Sequence, residues 1–393
     1  MINKLICGDN LEVLRKIPKE SIDLIYIDPP FFTNKQYEVV WGDEAETRSF
    51  EDRWEGGVEH FISWLKPRVQ AMHDVLKPTG SFYLHCDWHA NAHIRIMLDK
   101  IFGKENFQNE IIWHYTAGAR GKNRWARKHD NIYFYTKSGK WTFNWEAIAE
   151  PFTSGMTKWR YTKGGQKEKS MPIGRVPDDV FNIQIINTMA KERVGYPTQK
   201  PEALLERIIR ASSNPGDVVA DFFCGCGTTV AVAQKLKRKW IGVDISPTAI
   251  KIMERRLEKW LNTIKGRDYV CEGIPTTIED VRKLKPFEFQ NWVIIDKLEC
   301  RANKKKVNDK GLDGYCAGGT FQHPEAVGIQ VKQSDKVGRN VVDNFETAIR
   351  RAGWRKGIIV AFSFTKDAHE EVARIKNKGE LDIKLVTVKE LLK

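Results

Sequence analysis

Leu24-Ile25-Tyr26-Ile27-Asp28-Pro29-Pro30-Phe31 decides the fold of this chain. Its apolar run reads as a parallel strand buried on both faces. Two consecutive prolines cannot continue a sheet ladder, so the chain turns sharply at the strand's carboxyl end. Ligands of open α/β sheets sit at that end. The turn offers an acid, a backbone carbonyl followed by a residue without an N–H, and an aromatic face. Two readings stand at this point: an ordinary strand-ending turn, or a platform that holds a planar base by its exocyclic amine.

A second motif lies far downstream. Residues 217–229, Asp-Val-Val-Ala-Asp-Phe-Phe-Cys-Gly-Cys-Gly-Thr-Thr, read as a buried strand, a glycine-bearing turn and a helix start. Glycine lets backbone approach a ligand closely at such a turn. The spacing falls short of G-x-G-x-x-G, which argues against a pyrophosphate cofactor. The following strand, Trp240-Ile241-Gly242-Val243-Asp244, ends in an acid suited to ribose hydroxyls. A generic Rossmann half with capping residues is the blander reading, and the two motifs together weigh against it.

At 393 residues the chain is long enough for two domains, and its net charge of +13 favours a polyanionic partner. Much of the excess sits between 118 and 175, where 13 Lys and Arg face 4 Asp and Glu. Aromatics interleave there, among them Trp125, Tyr133 and Trp159, with Trp113 and Tyr115 just before. The densest part holds Arg120, Lys122, Arg124, Arg127 and Lys128, candidates for neutralising the phosphates of a nucleic acid. A solvated basic face over an aromatic core is the alternative for any one of them. The seven cysteines lack a paired C-x-x-C framework, which predicts reduced thiols, no zinc site and a cytoplasmic protein. Met1 runs almost directly into a predicted strand, so neither a secretory leader nor a membrane span is expected.

Periodicity predicts helices over 61–76, 94–102, 201–211 and 249–264, and a strand over 81–85. Lys77-Pro78-Thr79-Gly80 is the expected stop of the first helix. A polar link runs from 266 to 286. Residues 287–393 form a separate βαβ-like unit, opened by an amphipathic helix over 287–295. In it, Gln330 and Lys332 stand two apart on an apolar strand and share a face, 17 residues beyond Asp313. An acid on one strand with Gln-x-Lys on its neighbour suits a divalent metal and a water nucleophile.

On these residues the chain resembles the amino-directed DNA methyltransferases that use S-adenosylmethionine, in the β-type motif order. Beside the Asp28–Phe31 turn, five segments carry the resemblance in that order: Gly8-Asp9-Asn10, residues 80–87, Gly195-Tyr196-Pro197-Thr198-Gln199-Lys200-Pro201, Asp221–Gly227 and Ile241–Asp244. The implied fold is α/β. It comprises a Rossmann-like methyltransferase domain over 1–265 with an inserted target-recognition region at about 111–190, and a linker over 266–286. Residues 287–393 resemble the PD-(D/E)XK nuclease fold in its Asp…Gln-x-Lys branch.

The resemblance implies a mechanism as well. The base is flipped out of the duplex. Asp28 and the Pro29 carbonyl accept the two amine hydrogens, Pro30 shapes the turn and Phe31 stacks on the base. Asp244 binds ribose hydroxyls. Asp221, Phe223, Gly225, Gly227 and Thr228 shape the cofactor pocket. Lys200 approaches the cofactor carboxylate, and Asp9 is a further cofactor-side candidate. Asp at position 28 leans toward adenine N6 over cytosine N4. In the second domain Asp313 would hold Mg²⁺, Lys332 would orient water, Gln330 would replace a second acid and Glu288 would assist. Three rivals stay open: a methyltransferase of RNA or small molecules, a non-catalytic DNA-binding protein, and a combined restriction–modification enzyme. Partners beyond DNA stay open too, between a second copy and a restriction partner.

Overall fold

The structure is a computed structural model. It describes residues 3–32, 36–41, 46–51, 57–116, 123–151, 159–161, 167–169, 174–187, 189–194, 196, 198–284, 286–302, 311–316, 325–379 and 381–392. The chain divides into two compact units, 1–38 with 49–273, and 39–48 with 274–393.

In chain order the strands up to residue 273 are β1 (Asn3–Cys7), β2 (Ile22–Ile27), β3 (Gln36–Trp41), β4 (Glu46–Glu51), β5 (Leu76–Cys86), β6 (Phe107–His114), β7 (His129–Thr136), β8 (Trp159–Tyr161), β9 (Lys167–Lys169), β10 (Val180–Asn182), β11 (Val218–Asp221), β12 (Lys239–Asp244) and β13 (Tyr269–Glu272). Nine of them form one sheet in the order β10-β6-β7-β5-β2-β11-β12-β1-β13, while β3 pairs β4 and β8 pairs β9 in short ribbons. All neighbours in the large sheet run parallel except β7, which is antiparallel to both β5 and β6.

The apolar 24–27 run becomes central because both its faces are covered. Ile25 and Ile27 share one core with Phe61, Leu65, Met72, Leu98 and Phe102 of helices Gly57–Val75 and Asn91–Phe102, and Leu24, on the other face, is fully buried as well. From β2 the chain crosses to β5 on one side, and from β11 to β12 on the other. The strand order therefore reverses between β2 and β11, which places a ligand crevice at their carboxyl ends. Asp28 follows β2 and Asp221 ends β11, so both acids stand at that crevice.

The predicted helices appear as Gly57–Val75, Asn91–Phe102, Glu202–Ser212 and Pro247–Leu261. The predicted strand over 81–85 is longer than expected. Lys77-Pro78-Thr79-Gly80, a helix stop by its turn chemistry, lies inside β5. Pro78 is tolerated there because only the 81–86 part of β5 is paired to β7.

The second unit carries β14 (Arg301–Ala302), β15 (Gly314–Cys316), β16 (Val327–Val331), β17 (Lys356–Ala361) and β18 (Asp382–Thr387) in that spatial order. β15 is antiparallel to both β14 and β16, and β16, β17 and β18 run parallel. Strand alternation splits β17 between two cores: Ile358 and Val360 pack with Phe289 and Trp292, and Ile359 packs with Phe345 and Ile349. The expected helix over 287–295 is shorter, Pro286–Asn291, and widens into a π turn over Trp292–Lys297. One expectation is corrected here. Cys300 and Cys316 form a disulfide, so not all seven cysteines are thiols. Their spacing carried no signal, because pairing needs the strand that brings Cys316 back beside Cys300.

Candidate functional site

The Asp28–Phe31 turn leaves β2 with Pro29 buried and Asp28 half-buried. Phe32, just beyond it, has φ 60°, a left-handed conformation unusual for a bulky side chain. Its ring packs 5.9 Å from Phe61, and this core contact holds the strained position. The Asp28 carboxylate meets two different neighbours. Its Oδ2 forms an ion pair with the Lys200 ammonium. Its Oδ1 is buried and has no hydrogen-bond partner among the described residues, with His85 Nδ1 4.0 Å away. The same ammonium lies 5.0 Å from the Phe31 ring centroid. Lys200 thus contacts the acid and the aromatic face together.

The 196–200 loop is stapled by its own side chains. Gln199 donates to the Glu192 carbonyl at 2.6 Å and accepts from the Val194 N–H at 2.9 Å. The Lys200 carbonyl accepts from the Thr228 hydroxyl at 3.2 Å. Gly195 and Pro197 lie outside the described residues. Arg256, almost fully buried, reaches the Cys226 carbonyl and Thr228 Oγ1, both at 3.3 Å, and pairs with Glu202 at 2.7 Å. It ties the glycine turn to the helix that follows Pro201.

That turn is built for close approach. Gly225 and Gly227 have φ +48° and +74°, and a Cβ on Gly227 would lie 2.3 Å from Met253 Cγ. Asp221 Oδ1 accepts from Phe223 N at 3.0 Å and Oδ2 from Thr229 Oγ1 at 2.6 Å. Burial pushes its carboxyl up to about 7, although these bonds pull the other way. Asp244 accepts from Gly225 N at 2.8 Å and Ser246 N at 2.9 Å. Burial pushes it up to about 6, against those two bonds. The Phe223 ring packs 5.8 Å from Trp64. The loop that follows β12 exposes Ile245 at 69 %, an apolar surface beside the Asp244 carboxylate. Acid, glycine cradle and open apolar side chain together fit a nucleoside-bearing cofactor such as S-adenosylmethionine. Asp9 is otherwise engaged: it caps the helix Asn10–Leu14 and pairs with Arg68 at 2.7 Å.

The polar cluster behind Asp28 carried no signal in the sequence. His85 is fully buried; Tyr26 OH lies 2.8 Å from its Nδ1, and Asp130 Oδ2 lies 3.2 Å from its Nε2. Tyr115 donates to Asp130 Oδ1 at 3.1 Å. Burial alone would raise the Asp130 carboxyl, but the hydrogen bond from His85, with the charge of Lys200 and the hydrogen bond from Tyr115, holds it below its usual range. His85 falls in the 80–87 segment, where nothing local gives it a role. Asp130 is 45 residues away, and only the β5–β7 pairing brings the two together.

The basic segment is partly described. Arg120 and Lys122 lie outside the described residues, while Arg124, Trp125 and Arg127 are exposed, Trp125 at 95 %. The Arg127 guanidinium stacks 3.5 Å over the Trp88 ring. The Lys128 carbonyl accepts from Tyr115 N at 2.9 Å, so this tip of the β6–β7 hairpin sits at the Asp130 end of β7.

In the second unit Asp313 Oδ2 accepts from Val331 N at 2.7 Å, and Asp313 N donates to the Ile329 carbonyl at 2.9 Å. Gln330 is buried on β16, and its Oε1 has no partner among the described residues. Lys332 N donates to the Val360 carbonyl at 2.8 Å. The side chain of Glu288 is outside the described residues. The described donors offer one carboxylate and one amide, a poor fit to Mg²⁺, which prefers more anionic oxygen. The acids that do cluster among the described residues, Asp343, Glu346 and Glu371, are instead neutralised by Arg339, Arg350 and Arg374.

Comparison with known proteins agrees with this geometry. Residues 22–255 match the N6/N4 DNA methylase family, and residues 281–393 match a restriction endonuclease family. DNA adenine methyltransferase YhdJ of Escherichia coli (strain K12) is 35% identical over 258 residues, covering 65% of this chain and 82% of its own. Type II methyltransferase M.HpaI of Haemophilus parainfluenzae is 32% identical over 297 residues, covering 75% and 87%. The solved PvuII DNA methyltransferase (cytosine-N4-specific) is 20% identical with a TM-score of 0.48, covering 65% of this chain and 86% of that one. The chain belongs to the N6/N4 DNA methylase family and is a DNA amino-methyltransferase with a nuclease-like C-terminal unit.

Proposed function

We propose that this chain methylates adenine N6 in double-stranded DNA, within a short sequence context, after flipping the base out of the stack. The observation that carries this reading is the Asp28 carboxylate at the crevice, with a buried Oδ1 that has no hydrogen-bond partner among the described residues. The lone pair of an exocyclic amine is delocalised into the ring, so the nitrogen must be drawn toward sp³ geometry. Asp28 Oδ1 and the Pro29 carbonyl accept the two amine hydrogens and aim the lone pair out of the base plane. Phe31 stacks on the base. Holding both reactants in that geometry accounts for much of the rate. S-adenosylmethionine supplies an electrophilic methyl group. Asp244 holds its ribose hydroxyls, Ile245 its adenine face, and the 225–228 turn its remaining body. Lys200 must leave Asp28 Oδ2 or share it when the base enters. From there its ammonium is free to reach the cofactor carboxylate.

Adenine is preferred over cytosine because position 28 is Asp, and YhdJ carries adenine in its name. The test is expression in a methylation-free host, followed by genomic sequencing with modified-base detection. N6-methyladenine in one short context is the expected result. N4-methylcytosine alone would overturn the adenine assignment. Asp28→Ala should abolish transfer and leave cofactor binding within about threefold, since Asp28 faces the base; a matching loss of cofactor affinity would contradict its role.

A further inference from the structure

His85 has no part in the chemistry above, yet it backs both groups that do. The ring lies 5.4 Å from Phe31 at a 32° tilt, and Trp113 meets it edge-on at 5.4 Å. Its Nδ1 is 4.0 Å from the buried Oδ1 of Asp28, which has no partner among the described residues. Tyr26 from β2, Trp113 from β6 and Asp130 from β7 all fix this one imidazole from β5. Trp113 is itself held, donating from Nε1 to the Ile183 carbonyl at 2.7 Å.

The partners determine where the proton sits in the neutral ring. A carboxylate only accepts, so Nε2 carries the proton toward Asp130. Nδ1 is left with its lone pair and accepts from the Tyr26 hydroxyl. In this tautomer His85 offers Asp28 no donor. The other tautomer would aim an N–H from Nδ1 at the region of Tyr26 and Asp28 Oδ1, where it would compete with the incoming amine.

We infer that His85 is a positioning residue whose tautomer, fixed by Asp130 and Tyr26, keeps Asp28 Oδ1 open as an acceptor and steadies the Phe31 ring beneath the base. This rests on the reading of Asp28 as the amine acceptor. Lys200 occupies Oδ2 and His85 leaves Oδ1 unclaimed, so the two oxygens of one carboxylate are assigned different duties.

The experiment uses the full chain. Asp130→Asn keeps the shape but allows an amide N–H to donate to Nε2, which drives the proton to Nδ1. Tyr26→Phe removes only the hydroxyl. Each should lower kcat about 10- to 100-fold, the usual effect of losing a group that orients a functional side chain. The KM for DNA, cofactor affinity by calorimetry and thermal midpoint should stay near wild type. Nitrogen-15 spectra should show the Nε2–H tautomer of His85 in the wild type and the Nδ1–H tautomer in Asp130→Asn. An Nδ1–H tautomer in the wild type overturns the inference, even if Asp130→Asn fails to fold. So does an unchanged kcat in both variants. Asp28→Ala separates the two readings: transfer that persists in it sinks the acceptor role of Asp28 itself. Its loss there, with full activity in Asp130→Asn and Tyr26→Phe, sinks only the positioning role.

Discussion

Burial works against charge at Asp221. Its folded carboxyl, near 7, lies above its ordinary value of 3.8, with Asp28 and Asp244 adding to the rise. Between those two pH values the folded state binds more protons than the unfolded chain, so stability falls as pH rises through that window. Asp221→Asn keeps the shape and can still accept from Phe223 N. It should flatten the dependence of stability on pH between about 4 and 7, and make the protein more stable than wild type at pH 8. A carboxyl raised by one pH unit on folding loses at most about 1.4 kcal/mol of stability when it ionises. Urea melts at pH 5 and pH 8 check it; an equal difference between variant and wild type at both would contradict the ionisation argument. Asp244 differs in consequence, because each of its oxygens accepts one backbone N–H and keeps a further lone pair for a ligand. Asp244→Ala should weaken S-adenosylmethionine binding by about 1.5–3 kcal/mol, the range for hydrogen bonds to a charged group. Unchanged affinity by calorimetry would remove the ribose role. The variant also frees Gly225 N and Ser246 N, so Asp244→Asn, which still accepts from a backbone N–H, separates turn rigidity from ribose contact.

At the scale of elements, the β6–β7 hairpin joins the crevice to the basic surface. Its tip carries Arg124, Trp125 and Arg127, and the adjoining start of β7 carries Asp130, which reaches His85. A Trp this exposed next to basic residues suits contact with DNA, where an aromatic ring can fill space left by a flipped base. Reversing the charge of Arg124 and Arg127 together should lower the log–log salt slope of DNA binding, with cofactor binding intact. The drop should be about 0.9 for each phosphate that the variant no longer neutralises. An unchanged slope would turn the hairpin tip away from DNA. Elements like these show what is legible in a sequence and what is not. The 24–31 run and the 217–229 turn are readable because their signals are local: apolar continuity, prolines that end a ladder, glycines that permit positive φ. The pairing of Lys200 with Asp28, 172 residues apart, is not, and neither is the His85–Asp130 contact. Both depend on which strands become neighbours, and that is set by the whole sheet. Lys77-Pro78-Thr79-Gly80 misleads for the opposite reason. Its turn chemistry is a genuine local stop signal, overridden because β5, paired at Leu76 and again from Ser81, has no ladder pair at Pro78.

At the scale of the molecule, a DNA methyltransferase unit shares its chain with a nuclease-like unit, and the two sites differ in how complete they are. Around Asp28, Lys200, Phe31 and His85 are gathered by close contacts. Around Asp313 the described donors amount to one carboxylate, already accepting from Val331 N, and the neutral Gln330. Magnesium gives up its waters reluctantly and is held by anionic oxygens, so this set binds it weakly. Methylated and unmethylated plasmid incubated with the purified chain and Mg²⁺ or Mn²⁺ should therefore remain uncut, and Lys332→Ala should change nothing. Gln330→Glu tests the cause. It adds the missing charge at a buried position on β16, where an unpaired carboxylate would be costly unless a cation is present. The variant should consequently lose stability in chelator and regain it with Mn²⁺, by an amount that grows with cation concentration. Regain without concentration dependence would rule out binding at this site. Cutting by the wild type that Lys332→Ala abolishes would show instead that the single carboxylate suffices, and that the chain carries both activities.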